Sequence, residues 1–253
     1  MANEPLQAPR QSPQGVFLTT RWSRVVLAGD SDHPEAHAAL SSLCEDYWRP
    51  LYYFARRKGH PPEDAQDLTQ GFIMGLLESG GIARADPERG RFRTFLLAAF
   101  CHYLANQRRD QTTLKRGGGL VGRSLDEDPE AGFHQYAIET MTPERLYERA
   151  WALALLERVM AKLRAQYTKA GRTVLFEAIQ PHLSGSAGRP GYARLGEKVG
   201  MSESAITVAV HRMRRRYGEL LREEIAATVS TPEAVEEELR YLIQVVSTSP
   251  LAL

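Results

Sequence analysis

The chain has 253 residues and a formal net charge of +1, with 43% hydrophobic and 25% charged residues, which is typical of a globular protein that buries a core. No apolar run approaches the roughly 18 residues that a membrane-spanning helix needs. Residues 1–19 are rich in proline and glutamine and lack the apolar segment of a secretory signal. We therefore expect a disordered leader at 1–19 and a cytoplasmic protein.

The two cysteines, Cys44 and Cys101, lie far apart, and no Cys/His cluster has the spacing of zinc ligands. We expect two reduced, buried thiols and neither a metal nor a cofactor. The glycines at 117–119 lack the pattern of a phosphate-binding loop, and no catalytic acid pair or nucleophile elbow stands out. The sequence therefore argues against an enzyme.

Cationic residues form two clusters in this nearly neutral chain. The first cluster lies at residues 108–123 and the second at 204–222, after which residues 223–238 are acidic. Two such clusters predict two contact surfaces for a polyanion. A solvated helix face would explain either cluster alone.

Residues 20–110 are predicted to form a compact helical domain. Pro50 is expected to kink or divide its first helix, and Pro61 and Pro62 mark the start of the second. After a connector that contains glycine and proline, residues 92–110 are predicted to form a third helix. Apolar residues recur at helical spacing in all three: Leu40, Leu43, Tyr47, Leu51 and Phe54, then Ala65, Leu68, Phe72 and Leu76, and finally Phe95, Ala99, Cys101, Tyr103 and Leu104.

Helical periodicity is lost over residues 111–142, which we predict to be a flexible linker, basic first and acidic after. A second helical domain is predicted at 143–228 and an extension helix within 229–253, with Thr231 and Pro232 at its start. The second domain begins with two apolar sets: Leu146, Leu153, Leu156, Met160 and Leu163, then Val174, Leu175, Phe176 and Ile179. The expected fold is all-α, with two small helical domains joined by a flexible linker.

Residues 192–217 have the pattern of a helix-turn-helix within the second domain. Gly200 suits a turn that needs positive φ, and Ser202 suits the N-cap of the second helix. The core face of that helix is predicted to hold Ile206, Val210, Met213 and Tyr217, with Ala209 beside them. The other side is polar and cationic, as a helix in the major groove needs, and the predicted DNA-binding residues are Ser202, Ser204, Thr207, Val208, His211, Arg212, Arg214, Arg215 and Arg216. An ordinary arginine-rich surface helix is the alternative.

The two segments carry several motifs in a fixed order. The first segment holds an acidic signature at Asp64, Asp67, Leu68, Gln70 and Phe72. The sequences R-G-R-F-R-T-F-L at 89–96 and N-Q-R-R-D at 106–110 follow it, and the second segment holds the helix-turn-helix from Tyr192 through Gly200 to Thr207. Together these motifs, which cover roughly residues 40–220, resemble those of bacterial RNA polymerase sigma factors of the extracytoplasmic-function type.

This resemblance implies a non-catalytic subunit whose partners are core RNA polymerase and promoter DNA. The helix at 64–77 would bind the clamp helices of the β′ subunit through the five residues of the acidic signature. The helix-turn-helix would recognise the minus-thirty-five element beside the β flap, and the segment at 90–110 the minus-ten element. The residues implied in minus-ten contact are Arg91, Phe92, Arg93, Phe95, His102, Asn106, Arg108 and Arg109.

Some features depart from the family or leave alternatives open. Phe95 stands in place of a common tryptophan, His102 replaces a common asparagine or other polar residue, and Thr207 replaces a lysine. The extension helix can be a capping helix or a regulatory handle, and an anti-sigma factor or other regulator is an open partner. A stand-alone helix-turn-helix regulator that binds duplex DNA as a dimer, with residues 232–246 as the candidate dimerisation helix, is the alternative function.

Overall fold

A computed structural model describes residues 25, 28–29, 34–86, 91–113, 130, 133, 141–183, 191–226, 229 and 231–247. These ranges contain eight α-helices and no strand, which confirms the all-α class. The predicted leader at 1–19 and most of the predicted linker at 111–142 lie outside the described residues. The helices are α1 (Ala36–Arg57), α2 (Pro62–Glu78), α3 (Phe92–Thr113), α4 (Pro143–Lys169), α5 (Thr173–Ile179), α6 (Tyr192–Val199), α7 (Glu203–Ala226) and α8 (Pro232–Ser247).

Local signals in the sequence define where several helices begin. Helix α2 starts at Pro62, with Pro61 as its N-cap residue. Helix α4 starts after Thr142, whose hydroxyl accepts a 3.2 Å hydrogen bond from the Arg145 amide, and Thr231 accepts a similar bond of 3.3 Å at the start of α8. These caps satisfy amides that have no partner inside the helix, and the predicted starts are confirmed.

Helix α1 runs without interruption through Pro50, so the predicted division of this helix does not occur. A proline removes one backbone hydrogen bond from a helix interior. The buried side chains of Tyr47, Leu51 and Phe54 hold the turns on both sides of Pro50 against the core, and this packing outweighs the lost bond.

Helix α4 is the centre of the fold and packs against α1, α5, α7 and α8. Because it has neighbours on several sides, it buries more than the single predicted stripe. Leu146 and Leu163 are buried as predicted, whereas Leu153, Leu156 and Met160 are only half-buried. The buried set also includes residues that the prediction omitted: Tyr147, Ala150, Trp151, Ala152, Leu155 and Val159.

The buried face of helix α3 is rotated around the helix axis by about one residue from the predicted face. Its buried residues recur every four positions: Phe92, Leu96, Phe100 and Leu104. Of the predicted set, only Leu104 is fully buried, and Cys101 is exposed. The stretch F-L-L-A-A-F-C-H-Y-L is apolar on more than one side, so its periodicity does not define the buried face. Cys44 is half-buried and both thiols are free, so the prediction of two buried cysteines is wrong for Cys101.

Helices from both predicted domains share one core. The Phe54 ring of α1 meets the Tyr147 ring of α4 edge-on at 6.5 Å, and Asp46 of α1 forms an ion pair with Arg158 of α4. Glu130, within the predicted linker, pairs with Arg56 of α1 at 2.6 Å. The division into two domains at residues 111–142 remains a prediction.

Candidate nucleic-acid interface

A tight turn joins α6 to α7. Gly200 has a φ of +69°, a left-handed conformation that favours glycine. The Met201 amide donates a 2.9 Å hydrogen bond to the Gly196 carbonyl, and a Cβ on Gly196 would lie only 2.3 Å from the Met201 carbonyl oxygen. The Ser202 hydroxyl accepts a 3.2 Å bond from the Ala205 amide. The predicted turn residue Gly200 and the predicted cap Ser202 are confirmed, and Gly196 is a second glycine that the turn requires.

Helix α7 separates an apolar face from an exposed one. Ile206, Val210 and Met213 are buried, while Tyr217 and Ala209 are half-buried, so the predicted core face is confirmed. The opposite face, which we call the α7 outer face, consists of exposed residues at helical spacing: Ser204, Thr207, Val208, His211, Arg212 and Arg215. Val208 is 47% exposed, which adds an apolar side chain to a polar and cationic surface.

Two of the predicted DNA-binding arginines make contacts within the protein instead. Arg214 donates to the backbone carbonyl of His182 at 3.2 and 2.7 Å. Arg216 binds the Gln166 side chain at 3.0 Å and forms ion pairs with Glu219 and Glu223 at 3.2 and 3.1 Å. These bonds tie α7 to neighbouring elements, and we exclude both arginines from the α7 outer face.

A groove of about 720 Å³ runs beside the α7 outer face. Arg172 and Arg212 both line it, together with the exposed apolar side chains of Val174 and Val208. A concave surface with guanidinium groups and apolar patches can hold a ligand that carries both negative charge and apolar groups.

The outer side of α3 presents several of the predicted minus-ten residues. His102, Asn106, Arg108 and Arg109 are exposed, and Phe95 is half-buried. His102, Asn106 and Arg109 follow one another at spacings of four and three residues and therefore lie on one face of the helix.

The start of α3 is covered, contrary to the predicted DNA contacts there. Phe92 is 3% exposed and lies edge-on against the Tyr47 ring at 5.4 Å. Arg93 is 4% exposed and pairs with Glu238 of α8, as does the half-buried Arg91. In this arrangement Phe92 and Arg93 do not reach DNA. The sequence did not predict this contact, because nothing distinguishes Glu238 from the neighbouring glutamates of the acidic run. Most of those glutamates are exposed, whereas Glu238 is buried.

Helix α2 divides the predicted polymerase-binding residues between two faces. Asp64 and Asp67 are exposed and Gln70 is half-buried. Leu68 and Phe72 are buried, because α2 turns this face to the core, where the Phe72 ring lies 5.0 Å from that of Phe100. The prediction of Leu68 and Phe72 as direct contacts is therefore corrected.

Helix α2 also exposes an apolar residue that the sequence-based prediction omitted. Met74 is 46% exposed and lies seven positions after Asp67, which places the two on the same face. We call Asp64, Asp67 and Met74 the α2 outer stripe. Met74 could have been predicted from the sequence, because it lies two helical turns after Asp67 of the acidic signature.

The described ranges contain neither a candidate membrane-spanning helix nor a candidate metal site. No helix in them combines the length and apolar character needed to cross a membrane. The same ranges contain no group of three or more His, Cys, Asp or Glu side chains arranged to hold a metal ion.

Comparison with known proteins assigns the first three helices. Residues 43–113 match the family model described as sigma-70 region 2, a span that runs from within α1 to the end of α3. No curated protein and no solved structure matches the chain. Residues 43–113 are therefore similar to sigma-70 region 2, which supports the predicted resemblance of the chain to sigma factors.

Proposed function

We propose that the protein is a promoter-specificity subunit of bacterial RNA polymerase, of the extracytoplasmic-function type. It binds the core enzyme, directs initiation at its own promoters and has no catalytic activity itself. The match of residues 43–113 to sigma-70 region 2 carries this proposal. The exposed cationic face of α7, some 90 residues further along the chain, supports a second promoter contact.

The α2 outer stripe is the surface that we propose for polymerase binding. Two carboxylates and an exposed methionine offer a partner helix both charge and adaptable apolar surface. Leu68 and Phe72 act from beneath, because their burial fixes α2 against the core.

The α7 outer face and the exposed side of α3 are the surfaces that we propose for promoter DNA. Arg212 and Arg215 supply phosphate contacts, and Ser204 and Val208 lie where a helix in the major groove contacts base edges. On α3, His102 and Asn106 face the minus-ten element, with Arg109 on its backbone.

The test is reconstitution of the full-length protein with core RNA polymerase from the native cells. We expect the wild-type chain to comigrate with the core enzyme on gel filtration and to support initiation from native promoters. Asp67→Lys reverses a charge on the α2 outer stripe and should weaken binding about tenfold or more. Glu45→Lys, the same charge change at an exposed position of α1, is the matched control and should bind normally.

The proposal fails if the wild-type chain binds no polymerase subunit and supports no initiation. A stable dimer that binds palindromic duplex DNA tightly without polymerase would instead support a stand-alone regulator.

A further inference from the structure

Helix α8 covers the start of α3 with a buried carboxylate. Glu238 is fully buried. Its Oε2 atom lies 2.9 Å from Arg91 Nε and accepts a 3.2 Å hydrogen bond from Arg93 Nη2, and Oε1 pairs with Arg93 Nη1. One carboxylate of α8 therefore holds the two arginines that begin the third helix of region 2.

Aromatic rings stack on the same two arginines. The guanidinium carbon of Arg93 lies 4.3 Å from the centre of the Trp151 ring of α4 and 5.0 Å from that of Tyr241 of α8. The guanidinium carbon of Arg91 lies 5.4 Å from the Tyr241 ring. The two arginines therefore bind a carboxylate and an aromatic ring of α8. A nucleotide of single-stranded DNA offers the same two kinds of group, an anionic phosphate and an aromatic base.

The contact between α8 and α3 satisfies the arginines only in part. Arg93 Nε has no hydrogen-bond acceptor among the described residues although the side chain is buried. Burial lowers the pKa of Arg93, and the adjacent charge of Arg91 lowers it further. The Tyr241 hydroxyl is held by Glu148 of α4, which anchors the ring from the far side. A buried ion pair gains little over an apolar pair in the same place, but breaking it leaves its arginines without an anion. A phosphate that takes the place of the Glu238 carboxylate would keep both arginines paired.

We propose that α8 is an intramolecular mask whose Glu238 and Tyr241 occupy a site for a nucleotide of single-stranded DNA. Arg91 and Arg93 bind the phosphate at this site once α8 has left it, and Trp151 supplies a stacking surface. The inference rests on the proposed function, in which the start of α3 faces the separated minus-ten strands. A molecule with α8 in place binds single-stranded DNA weakly, and loss of the mask strengthens that binding.

The test compares the full-length wild type, Glu238→Gln and Glu237→Gln without polymerase. Glu237 is exposed on the same helix, so Glu237→Gln is the matched control. The probe is a fluorescent, random-sequence single-stranded DNA of about 20 nucleotides, titrated by anisotropy at several salt concentrations. Circular dichroism melting reports whether each variant is folded.

Glu238→Gln should bind the probe about tenfold more tightly than the wild type, because a larger fraction of molecules has α8 displaced. The slope of log affinity against log salt should steepen by about 0.7, because one phosphate is newly neutralised at this site. Adding Arg91→Ala to Glu238→Gln should reverse about half of the gain in log affinity. Glu237→Gln should match the wild type.

A folded Glu238→Gln protein with wild-type affinity and salt slope overturns the mask. If Glu238→Gln does not fold, Tyr241→Phe decides, because it loses only the hydrogen bond to Glu148 and should bind about two- to threefold more tightly. No gain in a folded Tyr241→Phe protein overturns the mask equally.

Core polymerase binding by the wild type, measured in parallel, separates the two proposals. If the wild type binds polymerase but Glu238→Gln gains no affinity for the probe, the mask is wrong and the proposed function stands. If the wild type binds no polymerase while Glu238→Gln gains affinity and salt slope, the mask stands and the function is wrong.

Discussion

Four arginines between positions 212 and 216 lie within little more than one turn of α7 but have different neighbours. Arg212 and Arg215 point to solvent, and Arg215 forms only a surface ion pair with Glu219 at 3.3 Å, which is worth little in water. Arg214 and Arg216 are bound within the protein. These four arginines therefore divide into two that are exposed to solvent, Arg212 and Arg215, and two that hold α7 in place, Arg214 and Arg216.

Arg212→Ala should weaken binding of a random-sequence duplex of about 30 base pairs and reduce its salt slope by about 0.9, because one phosphate contact is lost. Arg214→Ala, the matched control, should keep the salt slope and lower the melting temperature, because α7 loses its bonds to the His182 carbonyl. Fluorescence anisotropy and thermal melting measure the two effects. Equal salt slopes for both variants would contradict the division of the cluster.

The two thiols should differ in reactivity. Burial raises the pKa of Cys44 to about 11, and the negative charge of Glu45 raises it further. At pH 8 such a thiol is only about 0.1% thiolate, and the thiolate is the reactive form. Cys101 has a smaller upward shift, also from burial, and is exposed. Iodoacetamide should therefore modify Cys101 first, as mass spectrometry would detect. In denaturant the two cysteines should react with iodoacetamide at similar rates. Similar rates in the native protein would contradict the prediction.

At the level of elements, three helices have a start fixed by a side-chain cap, whereas their buried faces are fixed by their neighbours. The caps at Thr142, Ser202 and Thr231 were predictable because each depends on residues within one turn. The buried faces of α3 and α4 were only partly predictable. Both helices are apolar on more than one side, and which side is buried depends on helices distant in sequence.

The connection between α6 and α7 permits a test with two glycines. Gly196→Ala should lower the free energy of unfolding by about 1–3 kcal/mol, because its Cβ would meet the Met201 carbonyl and force the backbone to move. Gly75→Ala in α2 meets nothing within 4 Å and should raise stability by up to about 1 kcal/mol, since alanine favours the helix.

Urea unfolding followed by circular dichroism measures both glycine variants. Gly196→Ala should also weaken duplex binding, because the α7 outer face loses its fixed orientation. A Gly196→Ala protein as stable as the wild type would show that the close approach at this turn is not required.

For the whole molecule, the main feature is the joint core of α1 and α4. Sequence patterns predicted the order of the helices and the all-α class, since these follow from periodicity along the chain. They gave no indication that α1 packs on α4, or that Glu238 lies against Arg93, because neither contact has a local signal. Partly buried ion pairs join α4 to its neighbours, Arg158 to Asp46 of α1 and Lys162 to Glu224 of α7.

A shared core should unfold as one unit. Scanning calorimetry of the full chain should give a single transition whose van't Hoff and calorimetric enthalpies agree. Leu155→Ala, in the buried face of α4, should shift this transition as a whole and cost about 2–5 kcal/mol. Two separate transitions, with only one affected by Leu155→Ala, would instead show that the two predicted domains fold independently.

The order of the contacts along the chain also has a consequence during synthesis. Arg93 and Glu238 are 145 positions apart. At about 5–20 residues per second, the ribosome needs roughly 7–30 s to make the segment between them. Each new chain therefore exposes Arg91 and Arg93 well before α8 exists. During this interval the ribosome's RNA is the nearest polyanion, and the emergence of α8 from the ribosome is the event that ends the exposure.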